Sequence, residues 1–130
     1  ATELKYPEAI FLGMCTHQQL AQIYASADVL LFPSLTETFG NVTLESLASG
    51  TPVLAFNCAA AGEFIIDHKN GWLAPIDEPQ RFVQIALNIT GENERISSAR
   101  SAARSSVAHL GWHEIAGEVE SIFRRAIETG

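Results

Sequence analysis

Thr36-Glu37-Thr38-Phe39-Gly40-Asn41-Val42-Thr43-Leu44-Glu45-Ser46-Leu47-Ala48-Ser49-Gly50 places two carboxylates, Glu37 and Glu45, seven residues apart around a Phe-Gly-Asn turn. Upstream, Asp28-Val29-Leu30-Leu31-Phe32 is an apolar run ending at Pro33, and downstream Thr51-Pro52-Val53-Leu54-Ala55-Phe56 is another. Both read as fully buried strands. Strand, loop, short helix and strand make one βαβ unit, with both acids where the first strand hands over to the helix. Ligands of open α/β sheets bind at the carboxyl ends of the strands, so the acids mark a candidate pocket. Gly40 lets the backbone turn tightly and approach a ligand. Asn41 suits the N-cap of a helix running to Ser49, with Gly50 as its stop. The free N–H groups of Val42 and Thr43 at that helix start form an anion site. Leu44, Leu47 and Ala48 make its core face, and Glu45 lies one turn in.

Taken together, Pro33-Ser34, Glu37-x-Phe39-Gly40, Leu44-Glu45 and Ala48-x-Gly50-x-Pro52-Val53 closely resemble the donor-binding motif of retaining family 4 glycosyltransferases of the GT-B fold. The resemblance implies transfer of a hexosyl group from a nucleotide-diphospho-sugar with retention of configuration. It implies that Glu37 is a catalytic residue beside the transferred sugar. The backbone N–H groups of Phe39, Gly40 and Asn41 would contact the sugar hydroxyls, and Val42 and Thr43 the distal phosphate. Glu45 would hold the ribose, because one carboxylate accepts from two vicinal hydroxyls. Gly13 and Met14 would lie by the base, and Gly62 and Glu63 would add base or sugar contacts. No metal and no other cofactor is expected, since a helix N-terminus can stabilise charge on the leaving diphosphate.

The resemblance extends along most of the chain. Ala9-Ile10-Phe11-Leu12-Gly13 reads as a buried strand. Thr16 is placed to cap a helix whose apolar face is Leu20, Ile23, Tyr24 and Ala27. Asn57 to Glu63 reads as a short loop, with Ala59-Ala60-Ala61 where the family more commonly has a glycine pair. Glu63 is alternatively a first-turn acid of the turn that follows. Lys69-Asn70-Gly71 is a turn before a last strand, Trp72-Leu73-Ala74. Pro79 opens a helix through Phe82, Ile85, Ala86 and Ile89 that ends near Gly91. Glu92 to Leu110 forms another helix, on which Arg95, Arg100 and Arg104 read as ordinary surface charge. Trp112 begins a final helix with Ile115, Val119, Ile122, Phe123 and Ile127 on one stripe. The fold expected is α/β: a partial Rossmann-like domain over residues 1–130, with a mostly parallel sheet of about four strands, flanking helices and C-terminal helices.

Bulk properties narrow the function. With 47% hydrophobic and 18% charged residues, the chain has the composition of a globular domain with a buried core. A net charge of −7 argues against nucleic acid, whose phosphates demand a basic face. Cys15 and Cys58 lie far apart and read as reduced thiols of a cytoplasmic protein. No apolar run reaches the roughly 18 residues of a membrane span, and any contact of the parent with a membrane would be peripheral. His109 and His113 are four apart but flank Gly111, with no third ligand in view, so no metal site is expected.

Family members carry an acceptor site for a glycan or lipid on a preceding domain, and a Gly-Arg loop and a Lys that grip the donor phosphates. None of these is present in the 130 residues, which begin at Ala1 and read as an excised piece, inactive by itself. Two other readings stay open: a module that binds a nucleotide sugar without chemistry, and a structural or interaction piece in which both acids are merely solvated. A GT-B epimerase is a weaker alternative. An uncovered sheet edge would also favour self-association into a homo-oligomer.

Overall fold

A computed structural model describes residues 5–35 and 41–108. Its elements are α1 (His17–Ser26), β1 (Leu30–Phe32), α2 (Asn41–Ala48), β2 (Val53–Phe56), α3 (Ala59–Phe64), β3 (Gly71–Ala74), α4 (Pro79–Ile89) and α5 (Asn93–Val107). The strands form one parallel sheet in the order β1-β2-β3, with Leu30 opposite Val53 and Val53 opposite Gly71. A short parallel sheet covered on both faces needs a central strand that is apolar at every position. β2 meets that demand, since all four of its residues are buried.

Side chains of a strand alternate between faces, and the core divides accordingly. Val53 and Ala55 join Leu44 and Leu47 of α2, Ala61 and Ala103 on one face. Leu54 and Phe56 join Trp72, Phe82, Ile89 and Ala99 on the other. The Phe56 and Phe82 rings stack at 5.0 Å between centroids, tilted by 33°. α5 reaches both clusters, through Ala99 on one and Ala103 and Val107 on the other. Its small residues let it lie close against α2. Among the described residues no helix is long and apolar enough to cross a membrane.

Several sequence expectations hold closely. Thr16 caps α1 in a full capping box: its side chain accepts from the Gln19 N–H at 3.2 Å, and the Gln19 side chain accepts from the Thr16 N–H at 2.8 Å. Pro79 opens α4. Gly50 ends the α2 segment with φ 82°, a left-handed conformation that glycine adopts without strain.

Three expectations change. Ala9–Gly13 forms no strand: Ile10 is 85% exposed and Phe11 and Leu12 are about half exposed. A strand exists only by pairing, and this run has no partner strand, so the sheet of described residues has three strands. Ala59–Phe64 is a helix, not a loop. Alanine has the highest helix propensity of all residues, and three in a row after an extended Cys58 start a helix; Glu63 therefore sits in its last turn. Arg100 is no ordinary surface charge. Its Nη2 donates to the Ala25 carbonyl at 3.2 Å and its Nη1 to the Ala27 carbonyl. Arg104 stays exposed, as expected, with its guanidinium over the backbone of Gly50. The final helix expected from Trp112 lies outside the described residues, as do His109 and His113.

The turn between α3 and β3 depends on one residue whose weight was not evident in sequence. Asn70 is fully buried. Its Oδ1 accepts from the Ile66 N–H at 2.7 Å, and its Nδ2 donates to the Phe64 carbonyl and to Ser106 Oγ, both at 3.0 Å. Asn70→Ala strands these groups in the interior and is expected to cost about 2–3 kcal/mol. A urea unfolding midpoint indistinguishable from that of the parent chain would refute this.

Candidate functional site

All three strands run in parallel, so their carboxyl ends, Phe32, Phe56 and Ala74, share one edge of the sheet. The connections leaving that edge are stitched together. Cys58 Sγ lies 3.8 Å from the Ser34 carbonyl, linking the segment after β2 to the segment after β1. The Asn57 N–H donates to the Ala74 carbonyl at 2.9 Å, linking it to the end of β3. α2 and α3 both start at this edge, with their free N–H groups directed toward it.

Of the candidate residues, Glu37, Phe39 and Gly40 lie outside the described residues. Asn41 is the first residue of α2. Val42 is half-buried, and Thr43 is fully buried in the first turn. Thr43 Oγ1 has no hydrogen-bond partner among the described residues. A buried hydroxyl left unpaired costs about 1–3 kcal/mol, so this one marks a position where a hydrogen-bonding group is wanted. Glu45 is half-buried one turn further on. Its backbone carbonyl accepts from the Ser49 N–H and Oγ, whereas its carboxylate has no salt-bridge partner among the described residues.

The helix holding these residues is tightly fixed. Leu44 and Leu47 are fully buried on its core face. Ser46 is also buried and donates to the Thr51 carbonyl at 2.9 Å, tying α2 to the start of β2. With the inward face fixed in this way, Glu45 is held at a defined azimuth on the opposite side of the core leucines.

Gly62 and Glu63 are exposed on α3, three and four residues beyond its start, or about 4.5–6 Å along the helix axis. Gly62 packs against the Asn57 side chain, where an added Cβ would meet Oδ1 at 2.7 Å. Gly13 has φ 66° and open space around its Cα, so its glycine serves the turn and not a close contact. Met14 is fully exposed. This turn and α1 bound a groove of about 510 Å³, with Leu12, Met14 and Cys15 on one side and Gln19, Gln22 and Ile23 on the other.

The α1 groove was not foreseen in sequence, because the apolar run before it reads as strand. The unpaired Thr43 hydroxyl is likewise a tertiary feature, since only packing removes water from it. Among the described residues no three His, Cys, Asp or Glu side chains come together as a metal site. Cys15 and Cys58 are half-buried and form no disulfide.

Comparison with known proteins points the same way as this geometry. Over 116 residues the chain is 31% identical to D-inositol 3-phosphate glycosyltransferase 1 of Catenulispora acidiphila, which covers 89% of this chain and 28% of that protein. It is 34% identical over 114 residues to the GDP-mannose-dependent alpha-mannosyltransferase of Mycobacterium tuberculosis, covering 87% of this chain and 29% of that protein. The chain thus spans less than a third of the length of these relatives. Among solved structures, sucrose-phosphate synthase of Thermosynechococcus elongatus superposes with a TM-score of 0.76 at 26% identity, over 99% of this chain and 33% of that one. The partial Rossmann-like α/β sheet is that of the GT-B fold. The family model described as "Glycosyl transferases group 1" matches residues 1–92, and the chain belongs to that family.

Proposed function

We propose that this chain is the donor-binding part of a hexosyltransferase that takes its sugar from a nucleotide-diphospho-sugar with retention of configuration. The observation that carries the reading is the start of α2. There, the N–H groups of a helix start, a buried Thr43 hydroxyl with no hydrogen-bond partner among the described residues and a Glu45 carboxylate with no salt-bridge partner among them occur together at the carboxyl edge of a parallel sheet. The donor named for the mycobacterial relative, GDP-mannose, belongs to the class such a site suits.

In this reading Glu45 accepts hydrogen bonds from the ribose hydroxyls, while the amides of Val42 and Thr43 meet the distal phosphate. The backbone of Phe39, Gly40 and Asn41 holds the sugar, with Glu37 beside the anomeric carbon. Gly13 and Met14 lie toward the base, and Gly62 and Glu63 bound the sugar side. As the glycosidic bond breaks, negative charge grows on the diphosphate, and the positive end of α2 stabilises that charge more than it does the ground state. This requires no metal. The acceptor, a glycan or lipid, is bound by a further domain of the whole protein, so the chain alone binds donor without transferring it. Its two cysteines, in no disulfide, suit the reducing cytoplasm.

Titration of the labelled chain with UDP-, GDP- and ADP-sugars, followed through backbone amides, tests the reading. Localised shifts from Asn41 to Glu45 are expected, larger for one base than for the others. Uniform or absent shifts at millimolar ligand would refute it.

We also propose that the free edge of β1 mediates self-association. Among the described residues β1 pairs on one side only, Leu31 is half exposed, and apolar Ile10, Phe11 and Leu12 are exposed. Light scattering is expected to show mass rising with concentration. A constant monomer mass from micromolar to millimolar protein would exclude this.

A further inference from the structure

α1 contributes little apolar surface to the core. Tyr24 is its one buried side chain, with Leu20 and Ile23 half-buried. Polar contacts at its C-terminal end do most of the holding. The last carbonyls of a helix lack intrahelical partners, yet here those of Tyr24, Ala25 and Ala27 are supplied from outside the helix or from its cap. The Ala27 N–H donates to the Ile23 and Tyr24 carbonyls at 3.0 and 3.1 Å. Thr51 Oγ1 also donates to the Tyr24 carbonyl. Arg100 donates to the Ala25 and Ala27 carbonyls, and its Nη1 lies 3.5 Å from Asp28 Oδ1.

The chemistry favours this arrangement. A cation at a helix C-terminus is stabilised by the macrodipole, and the planar guanidinium meets two carbonyls with a rigid fork of donors, where an ammonium on a flexible stem is a point charge. Arg100 comes from the middle of α5, which is anchored in both halves of the core. One side chain therefore joins α5 to the end of α1 and to the lead-in of β1. Among the described residues the other end of α1 has its own capping box and the turn at Gly13–Cys15, in which Gly13 and Met14 are exposed. The helix is held at one end, and it forms a wall of the 510 Å³ groove, whose lining includes Ala27.

We propose that Arg100 is a positioning residue for the nucleoside end of the donor: by fixing the C-terminal end of α1, it sets the groove that receives the base between α1 and the Gly13–Cys15 turn. The inference rests on the donor-site reading and adds a remote residue on which base selectivity depends. Arg100 does not touch the ligand. It acts through the orientation of α1.

The test compares the chain with Arg100→Gln and Arg100→Lys, by amide shifts on titration with UDP- and GDP-sugars and by amide hydrogen exchange without ligand. In Arg100→Gln, faster exchange along α1 is expected, with α5 unchanged. Shifts at Gly13 to Thr16 should shrink while those at Val42 to Glu45 persist, and the affinity ratio between the two bases should narrow by about fivefold or more, the scale of coupling between linked sites. Arg100→Lys should fall between the two. Should Arg100→Gln fail to fold, Thr51→Val removes only the hydroxyl contact to Tyr24 and is expected to give the same selective loss. Unchanged base preference and unchanged shifts at Gly13 to Thr16, despite faster α1 exchange, would overturn the inference and leave Arg100 purely structural. A parent chain that responds at Val42 to Glu45 but not at Gly13 to Thr16 would overturn it with the donor reading intact. No response at Val42 to Glu45 would end both.

Discussion

Glu45→Ala is expected to weaken binding of the preferred nucleotide sugar by about 10- to 100-fold, the equivalent of roughly 1.5–3 kcal/mol for hydrogen bonds to a charged acceptor. Two features make the effect large. The carboxylate is half-buried and without a salt-bridge partner among the described residues, so it is free to accept from the ligand. It also sits on a helix whose opposite face is fully packed through Leu44 and Leu47, so its position is set before the ligand arrives. Stability should hardly change, because alanine favours helix and no internal ion pair is lost. Calorimetric titration beside a thermal melt separates the two quantities. Undiminished affinity in a folded Glu45→Ala chain would show that the acid is simply solvated. Glu45→Gln should recover part of the loss, since an amide oxygen still accepts hydrogen bonds but carries no charge.

Gly71→Ala is expected to produce the largest loss of stability, about 3 kcal/mol or more, at the upper end of the overpacking range. Gly71 pairs with Val53 in the β2–β3 ladder. A Cβ there would overlap the Val53 carbonyl oxygen and would also stand 3.1 Å from the Val53 amide nitrogen and 3.2 Å from Ile65 Cγ2. Two of those three neighbours are backbone, which cannot move aside as a flexible side chain can. Relief requires β3 to separate from β2, and the Trp72 and Ala74 contacts to the second core cluster go with it. Against a total stability of about 5–15 kcal/mol for an ordinary domain, that loss is a large fraction. A chemical denaturation midpoint within error of the parent chain would refute it. Gly91→Ala is a suitable control, because a Cβ at that glycine meets nothing within 4 Å.

The sequence by itself determined whatever depends on local pattern. The apolar run Val53–Phe56 could only be a central strand, and Gly50 could only end the helix before it. Thr16 and Pro79 announced the starts of α1 and α4 through bonds and torsions made within a few residues. The acid pair with Phe-Gly and Gly-x-Pro-Val carried the family resemblance, which the match over residues 1–92 bears out at the level of the family. Tertiary structure decided whatever depends on a distant partner. Ile10 and Phe11 have strand-forming side chains, yet a strand is a paired object and none among the described residues pairs with them. The alanines before Glu63 became helix once Cys58 left β2 in an extended conformation. Arg100 looked like surface charge because its partners, Ala25 and Ala27, are carbonyls more than seventy residues away, and backbone acceptors have no signature in sequence. Asn70 and Thr43 were equally silent. The cost or value of a polar group is set by the water it loses, and only packing decides that.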